Sequence, residues 1–281
     1  MTRLEAWATK ISDVADHTYV YCPQNGQYFN CWGGHDGPDQ RMICAGEGIY
    51  EVANCYRKPA FGHDDTAGIG AYGVNGVCHQ TANLFMYSSR QVLDLRVRGY
   101  IFSVAAYGIY GTAFPFGKIT EGIFFGSWLL AVYNPCYQRY KDSNIAKSAT
   151  PKMNLGEGSE LFKKIQKCHN VMLTGMPPEH PHDVTVQEFA TLVRHIAPGI
   201  DIGIFDDLQR DLLKERDALL KTGIQGKQLA DKMNDLVKEF QKGLSDRVGP
   251  GLYQKLTGLE AGETINIIDP EIAASVAKNT S

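Results

Sequence analysis

The stretch Asn75-Gly76-Val77-Cys78-His79-Gln80-Thr81-Ala82-Asn83 decides how this chain is read, because it puts a cysteine where a glycine-rich approach turns into a helix. Upstream, TAGIGAYGVNG (Thr66 to Gly76) carries glycines at 68, 70, 73 and 76. Downstream, CHQTANLFMYSSRQVL sets apolar side chains near helical spacing at Ala82, Phe85, Met86 and Val92. The glycines match G-x-G-x-x-G, but no apolar strand precedes them, so the context of a dinucleotide site is missing. A close-approach loop entering a helix fits better. At such a start the free backbone N–H groups and the helix dipole favour a thiolate and can hold a developing oxyanion. His79 is a poor base for Cys78, since consecutive helical residues diverge by about 100° and do not face each other.

The spacing upstream predicts a β-hairpin. HTYVY and QYFNCW flank CPQNG, whose Asn25-Gly26 is a strong two-residue turn signal. Alternation then puts His17, Asn30 and Trp32 on one face of the ribbon. A two-residue turn leaves Asn30 opposite Tyr21, four residues or roughly 13 Å from His17. A longer loop that moves the register by an even number keeps the shared face and brings the two together. RGYIFSVAAYGIYG (Arg98 to Gly111) reads as a further strand or two. From about residue 185 the pattern becomes helical: TVQEFATLVRHI is capped by Asp183 or Thr185, and FDDLQRDLLKERDALLKT and GKQLADKMNDLVKEFQKGL form a helical hairpin broken around Gly223 to Gly226. The class is therefore α+β, with residues 1–150 as the strand-bearing domain and 151–281 as a mostly helical extension. The heptads in that extension are too few for a coiled coil, and its charges read as a solvated face. It is nonetheless the region offered to a protein partner.

Together these pieces bear a resemblance. Asp16-His17 followed by small and β-branched residues, then Asn30-Cys31-Trp32-Gly33-Gly34, then a cysteine opening a helix after a glycine-rich loop, is similar to the His strand, Asn strand and nucleophile helix of papain-like cysteine peptidases. The chain order His17, Asn30, Cys78 differs from the family's Cys, His, Asn. The chain thus resembles a circularly permuted papain-like fold, an arrangement found among relatives of the NlpC-type cell-wall peptidases. The resemblance covers about the first 90 residues. It implies an antiparallel sheet packed on the helix that carries the cysteine. It further implies Cys78 as nucleophile, His17 as base, Asn30 as the group orienting the ring, and Trp32 as a shield for that bond. The family's oxyanion glutamine, six residues before the cysteine, is here Tyr72; Asn75, Gln80 and Gln24 are the substitutes at hand. The implied activity is hydrolysis of a peptide or isopeptide bond in a protein or peptide substrate. Glutamine deamidation and transglutaminase-like acyl transfer use the same chemistry, and a non-catalytic module keeping the fold is the third reading.

Composition narrows the partners. Lys+Arg 28 against Asp+Glu 31, with no basic block, argues against nucleic acid. The longest apolar run, Ile123 to Tyr133, has 11 residues, too few to span a bilayer as a helix. The amino terminus has no apolar core of a secretory signal. Seven cysteines, none in a C-x-x-C pair, favour a reducing compartment, the cytoplasm, or export without a cleaved signal. No cofactor is expected. His180-x-His182 has a spacing open to metal but no third ligand, so no metal is assigned. His63-Asp64-Asp65 reads as a solvated turn, His35-Asp36 as the replacement orienter, and Cys168-His169 as a core cysteine with its neighbour.

Overall fold

Buried and solvent-facing residues alternate along the first strand, β1 (Thr2–Thr9), where Leu4, Ala6 and Ala8 point into the core. In the computed structural model, which describes residues 1–11, 13–30, 35–50, 53–54, 72–112, 157–174 and 183–280, β1 is central in an antiparallel sheet. It pairs with β2 (His17–Cys22) on one side and β4 (Arg41–Gly48) on the other. The hairpin partner β3 (Gln27–Asn30) forms the outer edge, giving the order β3-β2-β1-β4. The class α+β stands, with four strands and eight helices among the described residues.

The hairpin forms, but with a longer turn than the Asn25-Gly26 signal predicts. Cys22 pairs with Gln27, so the loop runs from Pro23 to Gly26, and Gly26 takes a φ of +61° that favours glycine. Asn30 consequently faces Tyr19 instead of Tyr21. The register has moved by two, and His17 and Asn30 keep one face.

Helix α1 (Cys78–Met86) lies against the inner face of this sheet, with the ring of Phe85 tilted against Phe29, centroids 4.8 Å apart. A 3₁₀ turn, Tyr87–Ser89, follows it beneath β4. The next element corrects an expectation: residues 100–107 are a helix, α2 (Tyr100–Tyr107), and not a strand. Every residue of α2 is buried, so the run shows neither helical nor strand periodicity, and length and context decide. Side chains from three other helices, α1, α4 (Asp183–Ile196) and α5 (Gly203–Lys221), satisfy the backbone at its C-terminal end. Gln209 Nε2 donates to Ala105 O (3.0 Å), Arg216 to Ala106 O, Gln80 Nε2 to Gly108 O (2.9 Å) and Asn83 Nδ2 to Ile109 O (2.8 Å), while Glu188 Oε2 accepts from Ile109 N at 2.7 Å.

The remaining helices are α3 (Glu157–Thr174), α6 (Gly226–Val248), α7 (Pro250–Thr257) and α8 (Pro270–Thr280). The boundary expected at residue 150 lies outside the described residues. On either side of it the chain shares one hydrophobic core, running from Leu4, Phe29 and Phe85 through Phe102 to Phe189, Phe240 and Leu256. The C-terminal helices are thus built onto the strand-bearing part. The run 123–133 also lies outside the described residues; among those described, no helix is long and apolar enough to cross a membrane.

Gly99 shows how tightly the start of α2 packs on the approach to β2. It enters α2 at a φ of +83°, and a Cβ there would lie 2.4 Å from Ala15 Cβ. Gly99→Ala should cost more than the roughly 1–2 kcal/mol of left-handed strain alone, with overpacking adding about 1–3 kcal/mol. Gly258→Ala, at a φ of +73° with nothing within 4 Å, should show the strain by itself. Urea unfolding of both variants checks this; equal losses would mean that Ala15 yields.

Candidate functional site

Cys78 is the first residue of α1, and the helix start is built around it. Val77 is extended at the N-cap, and Gln80 Oε1 folds back to accept Val77 N–H at 3.1 Å. Cys78 is 6% exposed, and its sulfur meets the beginning of β2, donating to the carbonyl of Asp16 at 3.6 Å. Burial pushes the thiol up to about 11, partly opposed by the backbone and side chain of Thr18 and the amide of His79. Cys78 at rest is therefore a protonated thiol.

Asp16 anchors the whole arrangement. Its carboxylate is buried, pairs with Arg41 and accepts Arg98 N–H at 2.6 Å, while its own N–H donates to Arg98 O at 3.0 Å. Its carbonyl oxygen has two lone pairs and takes two donors, Cys78 Sγ and His79 Nε2. Reading along the chain gave Asp16 no role beyond preceding His17; the contacts that define one come from residues more than 20 positions away.

The question of His79 is settled by its two ring contacts. Nε2 lies 2.8 Å from Asp16 O, which can only accept, so Nε2 carries the proton. Nδ1 lies 2.8 Å from Ser103 Oγ on α2. Burial lowers the imidazole to about 4, so at neutral pH it is uncharged, with Nδ1 accepting from the Ser103 hydroxyl. Neither nitrogen keeps a lone pair for the sulfur. His79 clamps α1 to β2 and α2.

His17 opens β2 and is 3% exposed. Burial, then the neighbouring charges of His79 and His35, lower it to about 4, while Asp269 acts the other way. Its Nε2 is buried without a hydrogen-bond partner among the described residues, and the same holds for Asn30 Oδ1. The register makes these two residues diagonal neighbours on adjoining strands, with Cα atoms roughly 7–8 Å apart. Alternation sends Thr18, Val20 and Cys22 toward α1, and His17, Tyr19 and Asn30 to the other side, where His35 stacks on Tyr28 at 3.8 Å and tilts against Tyr19 at 6.0 Å. Among the described residues, His17 makes no hydrogen bond to Cys78; the sulfur reaches the strand through the residue before it.

Other expected positions fall as follows. Gln80 commits both amide protons to the fold, donating to Ser103 Oγ (3.2 Å) and Gly108 O (2.9 Å). Asn75 donates to Thr112 Oγ1 at 3.1 Å. Tyr72 accepts the Asp269 N–H at 3.0 Å. His35 Nε2 lies 3.6 Å from Asp36 Oδ1. Cys168 is half-buried, with its thiol raised by burial. Trp32, His63-Asp64-Asp65 and His180 with His182 lie outside the described residues, among which no group of His, Cys, Asp and Glu could hold a metal ion. No protein family, curated protein or solved structure was found to match this chain.

Proposed function

We propose that the protein is a cysteine-dependent hydrolase of an amide, a peptide or isopeptide bond, working on a permuted papain-like core. Cys78 is the nucleophile, His17 the base and Asn30 the group that orients it. One observation carries the reading: a nitrogen of His17 and an oxygen of Asn30, on one face of adjoining strands, are both buried without hydrogen-bond partners among the described residues. Each such orphan costs a fold about 1–3 kcal/mol. His17 directly follows the residue whose carbonyl the sulfur contacts, and use in catalysis accounts for keeping such a group there. In this reading the ring of His17, which lies at the very start of β2 on the face away from α1, turns toward the sulfur to take the thiol proton as the sulfur attacks the carbonyl, and the N–H groups of the first turn of α1 hold the oxyanion. The protonated ring then gives its proton to the leaving amine, and water cleaves the thioester. Deamidation or transamidation follows the same course, with ammonia as leaving group in both and an amine in place of water in the second.

A second reading, a non-catalytic module of the same fold, is favoured by the resting thiol, which needs its proton to donate to Asp16 O. Alkylation separates them. With iodoacetamide at pH 6, an ordinary thiol of pKa about 8.5 labels slowly. As a hydrolase, wild-type protein should carry the adduct on Cys78 by peptide mapping, through proton transfer to His17, and His17→Ala should abolish it. Labelling of Cys78 confined to alkaline pH, and indifferent to His17→Ala, would establish the module.

A further inference from the structure

A third group at the start of β2 is buried without a hydrogen-bond partner of good geometry among the described residues: the hydroxyl of Thr18. Thr18 is 0% exposed, and its partner across the sheet is Ala8, whose side chain offers a hydroxyl nothing to bond. Alternation along β2 sends its side chain to the face covered by α1, opposite to His17. The first turn of that helix lies over it: Cys78 Sγ donates at 3.6 Å to the carbonyl of Asp16, two residues before Thr18. The Thr18 side chain and backbone lie within hydrogen-bonding reach of the sulfur and, with the amide of His79, favour the thiolate. Burial and the Asp16 carboxylate oppose it. The other titratable groups nearby are committed. The Asp16 carboxylate holds Arg41 and Arg98 N–H, and the His79 ring holds Asp16 O and Ser103 Oγ.

We propose that Thr18 is the thiolate donor of this site: its hydroxyl turns onto Cys78 Sγ when the sulfur loses its proton, and holds the charge until the sulfur attacks. The catalytic task rests on the hydrolase reading given above. In the resting state the thiol spends its proton on Asp16 O, and its sulfur is a weak acceptor. When that proton passes to the ring of His17, Asp16 O keeps His79 Nε2–H as its donor, and the sulfur becomes an anion that accepts. The Thr18 hydroxyl, unpartnered until then, supplies the bond. It is unsatisfied in the ground state and satisfied in the ionised one. Its hydrogen bond is therefore differential, lowering the barrier to ionisation and attack and adding nothing to the resting fold.

Thr18→Val removes the hydroxyl and keeps the shape of the side chain, whereas Thr18→Ser keeps the hydroxyl. Two measurements are made on the full chain: the midpoint of the pH profile of Cys78 alkylation by iodoacetamide, read by peptide mapping, and urea unfolding at pH 7. Thr18→Val should raise the midpoint by about one unit, so that alkylation below it slows about tenfold. Its stability should equal or exceed that of the wild type, because a methyl group replaces an unpartnered hydroxyl in the core. Thr18→Ser should keep the wild-type midpoint. An unchanged midpoint in folded Thr18→Val overturns the proposal. A clear loss of stability in Thr18→Val overturns it as well, since the hydroxyl would then be bonded in the resting fold. Should wild-type Cys78 label only at alkaline pH whatever stands at position 17, the hydrolase reading fails. The catalytic task of Thr18 fails with it, even where Thr18→Val has moved the midpoint.

Discussion

Acidification from pH 7 to pH 4 should remove a large part of the stability of this fold. His17 and His79 are held neutral, each lowered from about 6.5 to about 4, chiefly by burial. The unfolded chain takes up both protons near pH 6.5 and the folded chain only near pH 4. Between those values the unfolded state binds more protons, so stability falls as pH falls, and the slope from these two groups vanishes outside the window. The loss is on the order of 3 kcal/mol for each histidine, against the roughly 5–15 kcal/mol that a domain has in total. Guanidinium unfolding at pH 7, 5.5 and 4 should show it, and His79→Gln or His17→Gln should each reduce the slope by one proton. A flat stability between pH 6.5 and 4 would mean that the rings titrate where solvent reaches them. On the alkaline side Cys78 acts in the opposite sense: its thiol is raised from 9 to about 11, so its contribution is lost as pH rises through that window.

Removing the base should cost as much activity as removing the nucleophile. On the proposed mechanism Cys78→Ala and His17→Ala should each lower turnover of an amide substrate by about a thousandfold or more, and the double variant should be no worse than either, since members of one catalytic unit act non-additively. Asn30→Ala should cost one to two orders of magnitude less, roughly, because an orienter fixes only ring geometry and tautomer. His79→Ala gives the contrasting result. It opens a cavity and removes one of the two donors on the Asp16 carbonyl and one partner of the Ser103 hydroxyl, so roughly 3 kcal/mol of stability should be lost while the pH profile of Cys78 alkylation keeps its shape. Should His79→Ala, still folded, lose activity as His17→Ala does, the base has been assigned to the wrong ring.

Local chemistry, legible in the sequence, determined much of the framework. A glycine-rich approach and apolar side chains at helical spacing located the start of α1 at Cys78. The amphipathic stretches, with a break near Gly223 to Gly226, marked α4, α5 and α6. The aromatic and β-branched runs around Pro23 to Gly26 marked the β2–β3 hairpin and the face that His17 and Asn30 share. Each of these signals is complete within a dozen residues, because periodicity, capping and turn preference are properties of a short segment. The tertiary structure decided the rest. Residues 100–107 are a helix enclosed on all sides, and enclosure erases the alternation by which strand and helix are told apart. The register of Asn30 against Tyr19 followed from a four-residue loop, β1 and β4 became strands by pairing, and residues on either side of position 150 came to share one core. Asp16 became the acceptor for both Cys78 and His79, and Asn266 came to bridge Val14 on the approach to His17, through contacts between residues more than 60 positions apart. The titration of the buried rings and thiol belongs to the same category, since it is set by water excluded by distant parts of the chain, and no local stretch encodes that exclusion.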